Sequence, residues 1–374
     1  TGEHRVSREK LAYLLDSTSA PMATLGPVSD WIGYQVSLIA AAFTALSLTT
    51  EKPYMAFLQS IPWNFYALLC LVAVPTIVIL GDFGPMRTAE KRAEEDGDLV
   101  APGDTPLSAI ENDLGEADTD NGRLYHFLLP LGVLLGVACW ALWYTGGGAE
   151  GKPLMDALAD TDVAVSLSWA AFAMVCTAMG LALLQRHTLE ACEQTLLAGF
   201  RTMLPALVIM VLAWTIGTVT GALDTGEHVI EATRDWLSPG LLPVLIFAIA
   251  MVISFATGSS WGAMAILTPV AVPLAYNIGD ITLVHMAIGA IFSGSIFGDH
   301  CSPISDTTVM SSIFAGSDHI AHVRTQIPYA LVPAAVAGVL YIASIAVSSA
   351  WVLLIAGLII QTAAIWLITR MPSD

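Results

Sequence analysis

The chain of 374 residues is apolar, acidic and poor in charged residues. Hydrophobic residues make up 55% and charged residues 12%, and the mean hydropathy is +0.70, whereas a soluble domain carries about 25% charged residues. The formal net charge of −18 argues against a nucleic-acid partner. The five cysteines show no paired spacing, which argues against a disulfide framework or a structural zinc site.

Long uncharged runs predict an all-α polytopic membrane protein. A helix needs about 20 apolar residues to cross a bilayer, and these runs lack the alternation of barrel strands. We predict roughly nine to eleven membrane segments, some of them broken helices or re-entrant hairpins. They lie near 11–48 (broken), 57–81, 124–144, 163–185, 202–222, 240–257, 258–276, 281–316 (broken), 328–347 and 350–369.

Residues 82–123 form an acidic segment with twelve acidic residues against four basic ones. Their Gly, Pro and Asp content and their lack of apolar periodicity predict a solvated loop. The main clusters of basic residues can all fall on one membrane face, which the positive-inside rule assigns to the cytoplasm. This loop is therefore predicted to be cytoplasmic.

A weak internal match aligns the octapeptide at 8–15 with that at 324–331 and superposes Arg8 on Arg324. Transporters are often built from repeats of opposite orientation, which would place these arginines on opposite faces. The distribution of basic residues instead places them on the same face. The two interpretations exclude each other.

The stretch GSIFGDHCSPISDTTVMSS, residues 294–312, places polar groups inside an apolar run. Pro303 cannot donate a helical hydrogen bond to the Asp299 carbonyl, so a break is expected there. Freed carbonyls, hydroxyls and carboxylates would form an oxygen-rich cage suited to a small hard cation such as Na⁺. The candidate ligands of this cage are Asp299, His300, Ser302, Ser305, Asp306, Thr307 and Thr308.

Simpler roles for these polar residues stay open. Ser305 or Asp306 could simply cap the following helix, and Asp299 and Asp306 could both lie at the water interface. His300 and Cys301 could suggest a transition-metal pair, but no further soft ligand lies nearby in the sequence.

The carboxylates also suggest a mechanism. Because burial penalises the charged form of a carboxylate, a buried acid needs either a proton or a cation. A site that holds one or the other, but never both, exchanges them when it opens to each side of the membrane in turn. We predict Asp299 and Asp306 as the residues that bind Na⁺ and the proton.

Two further stretches combine hydroxyls with glycine or proline. In 255–273 a hairpin tip or unwound turn would offer groups to the ion, although tight helix packing explains the glycines equally well. In 11–31 an acid, two hydroxyls and a proline repeat the pattern, although an interfacial position is an alternative and Asp30 marks a helix end. The candidate residues here are Asp16, Ser17, Thr18, Ser259, Ser260 and Trp261.

Together these motifs resemble the NhaC-type sodium/proton antiporter family of the ion-transporter superfamily. The matching stretches are SREKLAY at 7–13 with DSTSAP at 16–21, WIGY at 31–34, GSSWG at 258–262 and GDHCSPISDTT at 298–308. The resemblance covers nearly the whole chain except 82–123.

The resemblance implies a secondary transporter of the inner cell membrane, not an enzyme, with inverted repeats and no cofactor besides the transported Na⁺ and H⁺. It divides the chain into the end of a first repeat (1–81), the acidic loop (82–123), connecting helices (124–235) and a second repeat with the ion motif (236–374). Members carry a further acidic motif upstream, so we expect this sequence to begin inside a longer protein. The lipid bilayer is the expected partner, and a homo-oligomer is left open.

Two rival functions remain at this point. Some similar proteins exchange organic acids such as malate and lactate. An intramembrane aspartyl protease would need two aspartates from separate helices, for which only Asp16 could join Asp299 or Asp306. No nucleotide-binding motif supports an ATP-driven pump.

Overall fold

The computed structural model describes residues 5–27, 29, 31–48, 50–105, 123–201 and 238–371. The membrane segment predicted at 202–222 and the helix end predicted at Asp30 lie outside these residues.

The described part of the chain is helical. Its helices are α1 (Arg8–Leu25), α2 (Ile32–Ala45), α3 (Pro53–Ser60), α4 (Phe65–Leu80), α5 (Gly84–Glu95), α6 (Leu124–Thr145), α7 (Leu154–Ala159), α8 (Val163–Leu184), α9 (Leu242–Thr257), α10 (Ser260–Ile278), α11 (Ile281–Cys301), α12 (Asp306–Ala315), α13 (His319–Ala343) and α14 (Ala350–Thr369). Short 3₁₀ turns lie at Ile61–Trp63 and Gly148–Glu150.

The helix lengths confirm the prediction of an all-α polytopic membrane protein. Within the described ranges, six helices are long and apolar enough to span a membrane, namely α6, α8, α10, α11, α13 and α14. The pair Pro53–Trp63 and Phe65–Leu80, bent by 51°, is a further candidate span. The helices α2 and α9, which the sequence predicts as parts of membrane segments, are apolar but shorter.

Both segments predicted to be broken are divided in the structure. The segment at 11–48 consists of α1 and α2, and the segment at 281–316 consists of α11 and α12. The apolar run at 240–276 also divides, at Gly258 and Ser259, into α9 and α10.

The chain forms two compact units. Unit 2 comprises Gly26–Leu58 and Glu111–Leu212; in it α6 packs along α8, and the Thr145 hydroxyl lies 2.9 Å from that of Ser166. Unit 1 comprises Thr1–Leu25, Gln59–Ile110 and Ala213–Asp374 and contains all the candidate acids of the described chain.

The helix α11 forms the centre of unit 1. Every residue from Leu283 to Cys301 is buried, and α11 packs mainly against α9 and α10. Small residues permit this approach: a β-carbon at Gly294 would lie 2.4 Å from the Phe247 carbonyl oxygen, and one at Gly298 would lie 2.5 Å from the Phe255 nitrogen. The last turn of α11, which carries Asp299, is therefore held closely against α9.

The prediction that 82–123 is a loop is wrong for α5. This helix buries Met86, Ala89, Glu90 and Ala93, which have the spacing of one helical face. The hydrophobic pattern of the sequence does not show this face, because alanine and a paired glutamate contribute little to such a pattern. Glu90 accepts a hydrogen bond from the Ser7 N–H at 2.8 Å.

Ion pairs attach this acidic segment to the start of α1. Lys10 contacts Asp82 at 2.7 Å and Glu90 at 3.3 Å, and Arg92 contacts Glu9 at 2.9 Å. The segment next to the membrane helices is thus a packed part of unit 1.

The two arginine-bearing octapeptides lie on the same side of unit 1. Arg324 and Glu9, the neighbour of Arg8, line one cavity of about 860 Å³. Tyr13 and Tyr329, one from each octapeptide, stack edge to face with ring centroids 4.9 Å apart. This arrangement agrees with the distribution of basic residues, which places the two arginines on the same face.

We expect Gly298→Ala to lower the stability of the protein by about 1–3 kcal/mol, because the new methyl group would overlap the α9 backbone. Gly338→Ala on α13 is the matched control, since nothing lies within 4 Å of its added β-carbon. Thermal unfolding of the purified variants in detergent measures the difference. Equal unfolding temperatures would show that α9 and α11 are not in close contact.

Candidate ion-binding site

The membrane segment at 281–316 is broken at Pro303, as the sequence predicts. The helix α11 ends at Cys301, and Ser302 has extended backbone with φ −79° and ψ 130°. The helix α12 begins at Asp306, with Ser305 as its N-cap. The capping role expected for Ser305 is confirmed, since its hydroxyl oxygen accepts the Thr308 N–H at 3.4 Å.

The carbonyl groups freed by this break find new donors. The Asp299 carbonyl, which has no partner N–H on Pro303, accepts hydrogen bonds from the Ser302 N–H and from the Thr308 hydroxyl, each at 3.2 Å. The Ser302 hydroxyl donates to the Phe255 carbonyl near the end of α9 at 2.9 Å. The break is therefore braced from both sides.

The side chain of Asp299 lies in a group of hydroxyls that we call the Asp299 cage, formed by Asp299, Ser260, Ser305 and Thr307. Ser305 donates to Oδ1 at 2.7 Å, while Ser260 and Thr307 donate to Oδ2 at 3.1 and 3.4 Å. The Ser305 and Thr307 hydroxyls are themselves 3.0 Å apart. Asp299 is 0% exposed. The cage thus joins the start of α10, the end of α11 and the start of α12.

A second buried carboxyl belongs to Asp16, which is also 0% exposed. Its Oδ2 accepts hydrogen bonds from Gln326 Nε2 at 2.6 Å and from the Thr308 hydroxyl at 3.1 Å. Its Oδ1 is buried and accepts no hydrogen bond from the described residues. At this point α1 is covered by α12 and α13, so Asp16 is enclosed by protein.

The amide of Gln326 has a defined orientation. Its Nε2 faces two acceptors, Asp16 Oδ2 and the His300 carbonyl, so its Oε1 faces His322 Nε2 at 2.8 Å. Because an amide oxygen only accepts hydrogen bonds, His322 must donate from Nε2. We call Asp16, Thr308, Gln326 and His322 the Asp16 group.

The imidazole of His300 lies between α1 and α4. Its Nδ1 is 2.7 Å from the Tyr66 hydroxyl, and its Nε2 is 2.9 Å from the Ser17 hydroxyl and 4.0 Å from Asp16 Oδ2. In the described part of the chain, no three His, Cys, Asp or Glu side chains are grouped as a metal centre would require. The His300 ring therefore serves these hydroxyl contacts in the structure.

Thr308 connects the two carboxyl groups. Its single hydroxyl lies 3.1 Å from Asp16 Oδ2 and 3.2 Å from the Asp299 carbonyl oxygen. A hydroxyl has one proton to donate, so a strong bond to one acceptor weakens the bond to the other.

Asp306 occupies a different position from the one expected of a partner to Asp299. It is exposed, and its Oδ1 accepts the Thr307 N–H at 3.0 Å. With Ser19, Thr307 and Ser311 it lines a surface cavity of about 330 Å³. The structure thus brings Asp16, and not Asp306, into the buried polar cluster with Asp299. The role of Asp306 as a cation ligand stays a prediction.

Two further candidates, Ser259 and Thr18, make hydrogen bonds within their own helices. The Ser259 hydroxyl oxygen accepts the Gly262 N–H at 3.3 Å and so caps α10, with half-buried Trp261 in the next turn. The Thr18 hydroxyl is exposed and donates to the Leu14 carbonyl at 2.6 Å. Gly258 forms the expected turn with φ +65°, where a β-carbon would lie 2.6 Å from the Ile304 carbonyl oxygen.

Sequence reasoning missed three residues of this cluster: Tyr66, His322 and Gln326. The pair His322 and Gln326 is separated by one helical turn at the start of an apolar run, so both face the same side of α13. That spacing was a usable signal. Nothing local in the sequence marks Tyr66 as a partner of His300.

Comparison of the sequence with known protein families gives a match over most of the chain. Residues 22–344 match the model of the Na⁺/H⁺ antiporter family.

The chain belongs to this family.

The NhaC-type resemblance is thereby confirmed, and the family is one of antiporters. With its apolar helices, the antiporter-family chain is a multi-pass membrane protein.

Three relatives illustrate the range of this antiporter family. The chain is 33% identical over 349 residues to an uncharacterized protein of Haemophilus influenzae, covering 91% of this chain and 64% of the relative. It is 31% identical over 151 residues to the malate-2H⁺/Na⁺-lactate antiporter of Bacillus subtilis, covering 40% and 31%. It is 33% identical over 121 residues to the Na⁺/H⁺ antiporter NhaC of Alkalihalophilus pseudofirmus, covering 32% and 24%. The matched regions span less than two thirds of each relative.

We expect Thr308→Val to destabilise the protein by about 1–3 kcal/mol, because it leaves buried acceptors on Asp16 and Asp299 without their shared donor. Thr76→Val on α4 is the matched control, since its hydroxyl donates to the Val72 carbonyl of its own helix. Chemical or thermal unfolding of both variants measures the effect. A loss no greater for Thr308→Val than for Thr76→Val would contradict the bridging role.

Proposed function

We propose that the full-length protein exchanges Na⁺ for protons across the inner cell membrane by alternating access, and that Na⁺ binds in the Asp299 cage. Membership of the Na⁺/H⁺ antiporter family supports the pair of ions. The observation that carries the site is a carboxylate at 0% exposure whose hydrogen bonds come from three hydroxyls.

The cage has the chemistry that a small cation needs when it sheds water. A hydroxyl that donates to Asp299 in this structure can rotate and present a lone pair to an ion. The carboxylate supplies the compensating negative charge, and an isolated buried charge is costly without a partner. Na⁺ or a proton therefore stabilises the buried acid.

The construction of the cage suggests how it opens. Ser260 begins α10 next to the Gly258 turn, whereas Ser305 and Thr307 belong to the start of the short helix α12. A shift of α12 along α10 would separate these hydroxyls from Asp299. Thr307 also lines the surface cavity that contains Asp306, so we propose that the ion enters there and passes Asp306.

The alternative of organic-acid exchange has less support in the site. A carboxylate substrate is usually bound by arginine or lysine. The hydrogen bonds of Asp16 and Asp299 that the structure describes come from hydroxyls and an amide. The relative named for malate and lactate covers 40% of this chain.

We expect Asp299→Asn to abolish sodium-driven proton movement, because the cage loses its negative charge. Proteoliposomes with a pH-sensitive dye inside measure the exchange, with malate and lactate tested in parallel. Asp280→Asn is the matched control at the other end of α11, where the side chain caps the Leu283 N–H at 3.0 Å, a role that asparagine also performs.

The outcomes of this experiment are distinct. Sodium-driven exchange at the wild-type rate in Asp299→Asn would remove the cage from the mechanism. A wild-type protein that moves protons with malate or lactate, but not with Na⁺ alone, would favour the organic-acid exchanger.

Asp306→Asn should raise the Na⁺ concentration for half-maximal exchange without abolishing transport, since Asp306 is exposed.

A further inference from the structure

We infer that Asp16 takes up the exchanged proton at a site of its own, separate from the Na⁺ cage at Asp299. This inference rests on the proposed function and assigns its two ions to two different carboxyls. In this scheme Na⁺ and the proton do not compete for one carboxylate. Each binds at its own carboxyl, and binding at one site weakens binding at the other.

The donors around the two carboxyls differ in kind. The hydroxyls of the Asp299 cage can either donate a hydrogen bond or ligate a cation. Gln326 Nε2, at 2.6 Å from Asp16 Oδ2, can only donate. It cannot flip its oxygen toward Asp16, because Oε1 accepts the His322 N–H and Nε2 also serves the His300 carbonyl. The Gln326 N–H group that points at Asp16 therefore repels a cation there, whereas it is compatible with a neutral, protonated Asp16 carboxyl.

Asp16 also has a free position for a proton. Oδ2 keeps both of its donors, while Oδ1 is buried and accepts no hydrogen bond from the described residues. The Ser311 hydroxyl faces the Asp16 carboxyl from α12, as a donor to the ionised form. Ser311 also lines the surface cavity of about 330 Å³, so it lies between that cavity and the carboxyl.

Asp16 has no permanent positive counter-charge among the described residues. No lysine or arginine is bonded to it, and the nearest basic atom is His300 Nε2 at 4.0 Å. His322 reaches Asp16 through Gln326. The titratable groups that face Asp16 from the helices packed on α1 are Cys70, Asp299, His300, Cys301 and Asp306.

Thr308 provides the coupling between the two sites. When Asp16 is ionised, the Thr308 proton is drawn to Oδ2, and the Asp299 carbonyl is free to help bind a cation. When Asp16 is protonated, the Thr308 hydroxyl turns to the Asp299 carbonyl, and the negative charge near the cage decreases. Proton uptake at Asp16 should thus weaken Na⁺ binding at Asp299, and Na⁺ should weaken proton binding by the same factor.

The test is equilibrium ²²Na⁺ binding to the purified full-length protein as a function of pH. The wild-type affinity should fall with acidification by up to about tenfold per pH unit. Asp16→Asn should bind Na⁺ with an affinity that changes less than about twofold over the same range, because its coupled proton is gone. Asp299→Asn should lose Na⁺ binding, and Asp280→Asn should behave as wild type at every pH.

Each failure has its own signature. Wild-type pH dependence in Asp16→Asn would overturn the proton site while leaving the cage intact. Loss of Na⁺ binding in folded Asp16→Asn would make Asp16 a cation ligand and also overturn the inference. Na⁺ binding at wild-type strength in Asp299→Asn would overturn the proposed cage instead.

Ser311→Ala decides the matter if Asp16→Asn does not fold. Removal of a hydroxyl that favours the ionised carboxyl should strengthen proton binding at Asp16, which moves the pH dependence of Na⁺ binding toward alkaline pH. An unchanged pH dependence would contradict the inference.

Discussion

The rest of unit 1 depends on one constraint: two carboxyl groups are buried, and among the described residues no lysine or arginine is bonded to either. An unpaired charge costs several kcal/mol in such an environment. Hydroxyls, one amide and a broken helix reduce this cost around Asp299 and Asp16 without removing it. In the proposed mechanism, an incoming cation or proton relieves the remaining cost, and this relief contributes to the affinity of the site.

Rigid and adjustable parts meet at this site. The helix α11 is buried along its length and is fixed to α9 by close contacts at Gly294 and Gly298. The helix α12 is short and lies between the break at Pro303 and the left-handed Gly316. The first part fixes the position of Asp299, and the second carries the Ser305 and Thr307 hydroxyls. In the proposed mechanism, this division lets the site open by a movement of α12 while the core around α11 stays in place.

The sequence predicts those features whose cause is local. The break at 303 follows from the missing N–H of proline, and the helices follow from long apolar runs. The contact between Asp16 and Gln326 joins residues 310 positions apart, which no local pattern reveals. The local pattern instead favours Asp306, the exposed neighbour in sequence, as the partner of Asp299. The helix α5 was missed for a different reason, because its buried face is made of alanine, methionine and a paired glutamate.

The ion pairs between α1 and α5 have a consequence for the conditions under which the protein works. Lys10, Asp82, Glu90, Glu9 and Arg92 have side chains only 4–17% exposed. Dissolved salt screens exposed pairs over about 8 Å at physiological ionic strength but reaches buried ones much less. The contacts that anchor the helix carrying Asp16 should therefore change little as the salt concentration rises. Under the proposed function, Na⁺ is then transported without weakening the attachment of α1 to α5.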